Sequence, residues 1–141
     1  MEPTGRHLTD ESALRRLLEE AGVRATTQRM GLARLLFGGH DRHVVASELY
    51  LEAVQAGLGV SLATVYNTLG QFVQAGLLHE VRVDADKTYF DTHVRPHGHI
   101  YDETTGDLTD VVMPNFPLPD GVDADQVVAT EVIFRIRTPT R

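Results

Sequence analysis

The chain has 141 residues, of which 42% are hydrophobic, so it can bury the core of one ordinary domain or of two very small ones. It contains no cysteine, which excludes disulfides, thiolate zinc sites and thiol catalysis, and any bound metal must use His, Asp or Glu. No stretch approaches the ~20 apolar residues of a membrane helix, and no signal sequence opens the chain. We therefore expect a folded, soluble, cytoplasmic protein with no membrane partner.

The net charge of −7 argues against a nucleic-acid partner, because DNA-binding surfaces are usually basic. The acidic excess, however, lies almost entirely in one part of the chain. Residues 1–83 carry eight Lys or Arg against nine Asp or Glu, whereas residues 84–141 carry five against eleven. This asymmetry predicts two functional parts.

Four helices with short connections are predicted in the first part, each bounded by capping residues and glycines. They run from a cap at Thr9 to Gly22, from caps at Thr26 and Thr27 to Gly38, from about Ala46 to Ala56, and from a cap at Ser61 to Gly76. The third is expected to bury Leu49, Ala53 and Val54, and the fourth Leu62, Val65, Leu69, Phe72 and Val73. The pattern indicates a compact helical bundle.

The outer face of the fourth predicted helix carries no charge. Its members are small or amide-bearing, namely Ser61, Thr64, Asn67, Thr68 and Gln71, with Tyr66 nearby. Uncharged hydrogen-bonding side chains suit a helix lying in the major groove, where they meet base edges. The pattern alone equally fits a merely polar helix of a bundle.

Two extended segments follow this helix, residues 77–83 and 87–91, around a turn at Asp84, Ala85 and Asp86. Helices followed directly by a β-hairpin make a winged helix. Arg82 and Lys87 on the wing are candidates for phosphate contacts. Arg24 and Arg29, at the start of the second helix, are candidates for the same role.

Four motifs are similar to those of a known protein family: "RATTQR", "DRHVVASELY", "VSLATVYNTLGQFVQAGLL" and "KTYFDT". They resemble the ferric uptake regulator family over about residues 22–112, most closely its iron response regulator branch, Irr. The resemblance implies an α+β protein with an N-terminal winged helix-turn-helix DNA-binding domain, residues 1–91, and a small α/β dimerisation domain, residues 92–141. It also implies a metal site near the hinge that couples metal or haem status to operator binding.

The spacing of His and Asp residues after the wing predicts where that metal binds. His97 and His99 lie on one side of an extended strand, and Asp110 returns beside them if residues 103–106 form a turn. Asp91 precedes them and is expected to converge with them. The resemblance adds His43. This N/O ligand set suits one Fe(II), Mn(II) or Zn(II) ion per subunit.

Each of these ligands also has a simpler interpretation. Asp91 would serve as a strand-end cap, Asp110 as a solvated turn residue and His43 as a helix-entry residue. The remaining histidines are interpreted as surface or wing residues, namely His7, His40, His79 and His93.

The second part departs from its relatives. Asp102 and Thr105 occupy the positions of the first cysteine pair of the structural zinc site found in many of them, so that zinc site is excluded. Haem contact through histidine alone stays open. Strands are predicted at 98–102, 107–113 and 127–137, and the prolines at 114, 117 and 119 exclude a continuous helix between them. Because so small a sheet is marginal alone, we expect a two-fold homodimer on a pseudo-palindromic operator.

The resemblance therefore implies a non-enzymatic, metal-dependent regulator of iron-homeostasis genes. Its expected DNA contacts are Arg24, Thr27, Arg29, Ser61, Thr64, Tyr66 and Asn67. One alternative is a repressor that resembles the peroxide-sensing PerR branch. Alternatives of other classes are a mononuclear metalloenzyme, disfavoured because no nucleophile motif or phosphate loop is present, and a metal-storage module that binds no DNA.

Overall fold

The computed structural model describes residues 10–140, and its internal contacts divide the chain into two units, one ending at Arg95 and one beginning at Pro96. The sequence prediction placed the boundary slightly earlier, after residue 91. Helices dominate the first unit and a small sheet dominates the second. The mixed α+β class predicted from the sequence is confirmed.

The first unit contains the four predicted helices, α1 Glu11–Glu20, α2 Thr27–Phe37, α3 Ala46–Gln55 and α4 Leu62–Gln74. Side-chain oxygens of Asp10, Thr26 and Ser61 accept the exposed N–H groups that begin α1, α2 and α4. The cap predicted at Thr9 lies outside the described residues, and Asp10 performs that role. Thr27, the alternative cap of α2, is its first helical residue.

Two of the predicted buried stripes need correction. Leu62 was expected in the core but is 41% exposed, because the buried face of α4 begins one turn later, at Val65. Val54 is also exposed, because the buried face of α3 follows Ala46, Leu49 and Ala53, which are three and four residues apart.

A third correction concerns α4. Thr68 was placed on its outer face, but it is only 4% exposed. It lies three residues after the buried Val65 and four before the buried Phe72, so the helical repeat turns it inward. The uncharged outer face of α4 therefore does not include Thr68.

Close packing explains the glycine in the middle of α2. A Cβ atom added to Gly31 would lie 2.8 Å from the Leu58 side chain, in the turn between α3 and α4. Gln28, one turn earlier, donates a hydrogen bond of 3.1 Å to the carbonyl of Gly59 in the same turn. These contacts tie α2 to the α3–turn–α4 pair.

The wing is part of a three-stranded antiparallel sheet. Strand β3, Lys87–Asp91, lies between β2, His79–Asp84, and the two-residue β1, His43–Val44. Hairpin β2–β3 is the predicted wing. Strand β1 was not predicted, because two residues carry no periodic pattern and their partner strand lies far along the chain.

The second unit is a three-stranded sheet of order β5–β4–β6, with β4 Gly98–Asp102, β5 Leu108–Val111 and β6 Ile133–Ile136. β5 is antiparallel and β6 parallel to β4. The strand expected over 127–137 is thus shorter than predicted. Among the described residues of this unit, the helical segment is a single 3-10 turn, Ala124–Gln126.

None of the helices within residues 10–140 is long and apolar enough to cross a membrane.

Candidate metal centre and nucleic-acid interface

The first unit brings His43 and Asp91 together across the β1–β3 ladder. The two residues are register partners, and His43 Nε2 lies 3.2 Å from Asp91 Oδ2. Asp91 is fully buried, and its other carboxylate oxygen accepts a hydrogen bond of 2.9 Å from the backbone N–H of His93. A buried carboxylate facing an imidazole provides one oxygen and one nitrogen donor at this edge of the wing sheet.

The second unit brings His97, His99 and Asp110 together on neighbouring strands. His99 and Asp110 are register partners of β4 and β5, and His97 immediately precedes β4. Asp110 Oδ1 lies 3.3 Å from His97 Nε2 and 3.4 Å from His99 Nε2, and the centroids of the two rings are 4.5 Å apart. The expected period-two placement and the turn at residues 103–106 account for this cluster.

Within each of the two groups, the distances between donor atoms fit the binding of one divalent ion. Two donor atoms bound to one ion at about 2.0–2.2 Å, at tetrahedral or octahedral angles, lie about 2.8–3.6 Å apart. All three His–carboxylate separations fall within that interval. The donors are imidazole nitrogens and carboxylate oxygens, the ligand types that Fe(II), Mn(II) and Zn(II) accept. Both groups are therefore suited to holding such an ion.

His79 and His93, interpreted from the sequence as ordinary surface or wing residues, both lie beside Asp91. His79 is its register partner on β2, and His93 contacts its carboxylate through the backbone. Neither is one of the candidate ligands in the two groups described above. His7 lies outside the described residues.

Three of the seven residues predicted to contact DNA lie on α4, and a fourth, Ser61, caps that helix. Tyr66 is 56% exposed, and Asn67 is exposed beside it. Thr64 is half-buried, and its backbone N–H and hydroxyl both contact the Ser61 hydroxyl, at 3.1 and 3.0 Å. Ser61 thus serves as a helix cap, a role that the sequence also predicted for it.

Two predicted phosphate-binding arginines lie together at the start of α2. Arg29 Nη1 donates a hydrogen bond of 3.1 Å to the carbonyl of Arg24, and Thr27 is exposed nearby. Arg24 and Arg29 line a surface hollow with Gln71 and Gln74 of α4. The hollow places both arginines beside the C-terminal half of the helix that carries Tyr66.

A groove of about 480 Å³ separates α4 from the wing. Tyr66 lines it from α4, and Arg82 and Lys87 line it from the wing. Arg82 also forms an ion pair of 2.7 Å with Glu80. The groove includes Ser47, at the start of α3, which no sequence pattern singled out.

Asp102, the last residue of β4, accepts several hydrogen bonds. Burial acts to raise the pKa of Asp102. Hydrogen bonds from the Thr138 hydroxyl and from the backbone N–H groups of Thr104 and Thr105 outweigh this effect. The pKa of Asp102 is therefore lowered below its ordinary value of 3.8. The adjacent Glu103 pairs with arginines of the β6 segment. These contacts tie the β4–β5 turn to the end of the chain.

Comparison with known sequences decides the family. Residues 20–117, more than half of the chain, match the model of the ferric uptake regulator family. The chain belongs to the ferric uptake regulator family. The peroxide-responsive repressor PerR of Staphylococcus aureus (strain USA300) is 34% identical to it over 97 residues, which are 69% of this chain and 65% of that protein. The match thus spans slightly less than two thirds of that relative's length.

Solved structures of the ferric uptake regulator family share this fold. The ferric uptake regulator of Pseudomonas aeruginosa with manganese superposes with a TM-score of 0.69 at 24% identity, covering 89% of this chain and 97% of that chain. A zinc-bound manganese uptake regulator gives a TM-score of 0.59 at 26% identity, covering 89% and 98%. Family membership is confirmed, whereas the Irr branch stays a prediction.

Proposed function

We propose that this member of the ferric uptake regulator family is a metal-dependent transcriptional regulator that binds double-stranded operator DNA as a homodimer in the cytoplasm. The observation that carries the proposal is the pairing of His43 with Asp91 on the sheet that forms the wing. A metal-binding pair built into a winged helix gives a metal direct influence over a nucleic-acid-binding fold. The protein is proposed to act as a switch and not as an enzyme.

One divalent ion per subunit is proposed to use all five His and Asp ligands. His97, His99 and Asp110 supply three donors, which leaves the usual coordination sphere of Fe(II), Mn(II) or Zn(II) incomplete. His43 and Asp91 supply two more donors of the same chemical types. A bound ion contributes positive charge and a fixed coordination geometry. The five side chains then hold the wing sheet and the second unit in one arrangement.

Operator recognition is assigned to α4 and the start of α2. Thr64, Tyr66 and Asn67 are proposed to contact base edges, because they lie on the uncharged outer face of α4. Arg24 and Arg29 are proposed to contact phosphates from the hollow beside that helix. Thr27 and Ser61 are proposed to border the same surface from the first turns of α2 and α4.

Iron status, sensed by Fe(II) binding or through haem as in the Irr branch, is the proposed signal, and iron-homeostasis genes are the proposed targets. A PerR-like response to peroxide is the second candidate. The 34% identity to PerR of Staphylococcus aureus favours it, and so does the proposed ligand set, in which the Asp91 carboxylate accompanies His97 and His99. In that case, peroxide would oxidise a histidine ligand of bound Fe(II).

The experiment that tests this function is a DNA selection from a random duplex pool. Purified wild-type protein is offered the pool with Mn(II), with Fe(II), with Zn(II), with haemin or with EDTA. We expect enrichment of a pseudo-palindromic sequence that depends on one of these additives. Treatment of the Fe(II) sample with peroxide separates the two signals, because mass spectrometry would then detect oxidised His97 or His99. Absence of enrichment under every condition would contradict the proposal.

A further inference from the structure

A partly buried polar connection runs from the wing sheet to helices α2 and α3. Arg42 immediately precedes His43 and extends the β1–β3 ladder by one rung. Its backbone N–H donates to Thr92 Oγ1 at 2.9 Å, and the Thr92 N–H donates to the Arg42 carbonyl at 3.1 Å. Thr92 in turn directly follows Asp91. The Arg42–Thr92 rung is therefore fixed to the two residues that form the metal-binding pair.

The side chain of Arg42 leaves the sheet and contacts two helices. Its Nη1 atom donates to the Leu35 carbonyl in the last turn of α2, at 3.2 Å, and to Glu52 Oε1 of α3, at 2.8 Å. Its Nη2 atom donates to Glu52 Oε2 at 2.5 Å. This is the two-pronged arrangement of a guanidinium and a carboxylate, which fixes direction as well as distance. Both side chains are partly buried, so solvent screens the pair less than it would a surface pair.

Glu52 lies on the helix that supports α4. Its neighbour Ala53 and the preceding Leu49 are fully buried, and α3 packs against α4. A helix packed in this way moves as a body, because a close-packed core does not deform continuously. A shift of the Arg42–Thr92 rung would therefore be passed to α3 through the two hydrogen bonds of the Arg42–Glu52 ion pair, and from α3 to α4 through the core.

We infer that the Arg42–Glu52 pair is a positioning element that transmits metal occupancy at His43 and Asp91 to the orientation of α4. The inference rests on the proposed function, since it assumes that the ion and the operator both bind. It assigns the transmission to a contact that involves neither ligand. Arg42 and Glu52 are thereby distinguished from residues that bind the metal or the DNA.

The test compares the ratio of DNA affinity with and without Mn(II) in four proteins, namely wild type, Glu52→Gln, Glu11→Gln and Arg42→Lys. The DNA is the duplex that wild-type protein selects from a random pool in Mn(II). Glu52→Gln keeps the size of the side chain but removes its charge. Glu11→Gln is the matched control, because Glu11 forms an ion pair of 2.5 Å with Arg34 that joins α1 to α2. Mn(II) affinity and melting temperature are measured for each protein.

We expect Mn(II) to tighten wild-type DNA binding by roughly 5- to 150-fold. Glu52→Gln should reduce that enhancement by roughly 2- to 30-fold while leaving Mn(II) affinity without DNA close to wild type. Glu11→Gln should keep the wild-type enhancement. Arg42→Lys should act as Glu52→Gln does, since an ammonium keeps the charge but cannot reach both carboxylate oxygens and Leu35 together. If Glu52→Gln does not fold, Arg42→Lys tests whether the ion pair transmits metal occupancy.

Several outcomes would overturn the inference. An unchanged enhancement in Glu52→Gln or Arg42→Lys would show that the pair transmits nothing. An equal fall in Glu11→Gln would show that the loss reflects general loosening of the helices. These results leave the proposed function intact, because wild-type DNA binding still responds to Mn(II). If wild type selects no DNA, or binds it equally with and without any of the metals, the proposed function fails and the inference fails with it.

Discussion

Replacing Tyr66 by alanine should reduce discrimination between operator and unrelated DNA without unfolding the protein. Tyr66 is 56% exposed, and it faces the groove between α4 and the wing. Substitutions at such exposed positions usually change the free energy of unfolding by less than about 0.5 kcal/mol. Loss of one base contact costs about 1–3 kcal/mol of specificity, which corresponds to about a 5- to 150-fold fall in the affinity ratio.

The assay is a competition between the selected duplex and a scrambled duplex of the same length, at one stated salt concentration. Leu51→Ala is the matched control, because Leu51 is also a large exposed side chain but lies on α3, outside the groove. Tyr66→Phe separates the ring from the hydroxyl. Equal losses of affinity for both duplexes in Tyr66→Ala would refute the assignment of Tyr66 to base recognition.

Three further predictions address phosphates, metal and pH. Arg29→Ala should weaken binding to selected and scrambled DNA alike and reduce the slope of log affinity against log salt concentration by about 1. The control Arg16→Ala, on the exposed face of α1, should do neither. DNA titrations at several salt concentrations check both expectations. His97→Ala or His99→Ala should weaken Mn(II) binding at least about 10- to 100-fold by calorimetry, and unchanged affinity would remove that residue from the ligand set. Because the pKa of Asp102 is lowered on folding, its contribution to stability is complete above the ordinary carboxyl pKa and is lost as pH falls through the lowered value. Asp102→Asn should therefore melt at a lower temperature at neutral pH and show less further loss on acidification, and an unchanged melting profile would contradict this.

Much of the first unit could be predicted from local signals. Side-chain caps and terminal glycines marked the helix ends, and two β-rich arms marked the wing. The errors occurred where tertiary packing decides burial. Leu62 has the angular position of a core residue but lies in a first turn that extends past the core, and Thr68 has a polar side chain on an inward-facing position.

The two groups of candidate metal ligands were predictable to different degrees. His97, His99 and Asp110 follow from strand alternation across one short turn, which is a local rule. The pairing of His43 with Asp91 is not local, because β1 has two residues and joins a strand that comes after α4. Family resemblance, not periodicity, pointed to His43. The Arg42–Glu52 pair could not be predicted from the sequence, because it depends on how α3 packs beside the sheet.

One bound ion is proposed to couple the wing sheet to operator binding. A pair of titrations on wild type and His43→Ala tests this coupling: Mn(II) is titrated with and without the selected DNA, and the DNA is titrated with and without Mn(II). In wild type, each ligand should tighten the other by the same factor, roughly 5- to 150-fold, because coupling is reciprocal. His43→Ala should still bind Mn(II) through its remaining ligands, but both factors should fall towards one. Full reciprocal coupling in His43→Ala would contradict the account and leave His43 as a strand residue without a role in sensing.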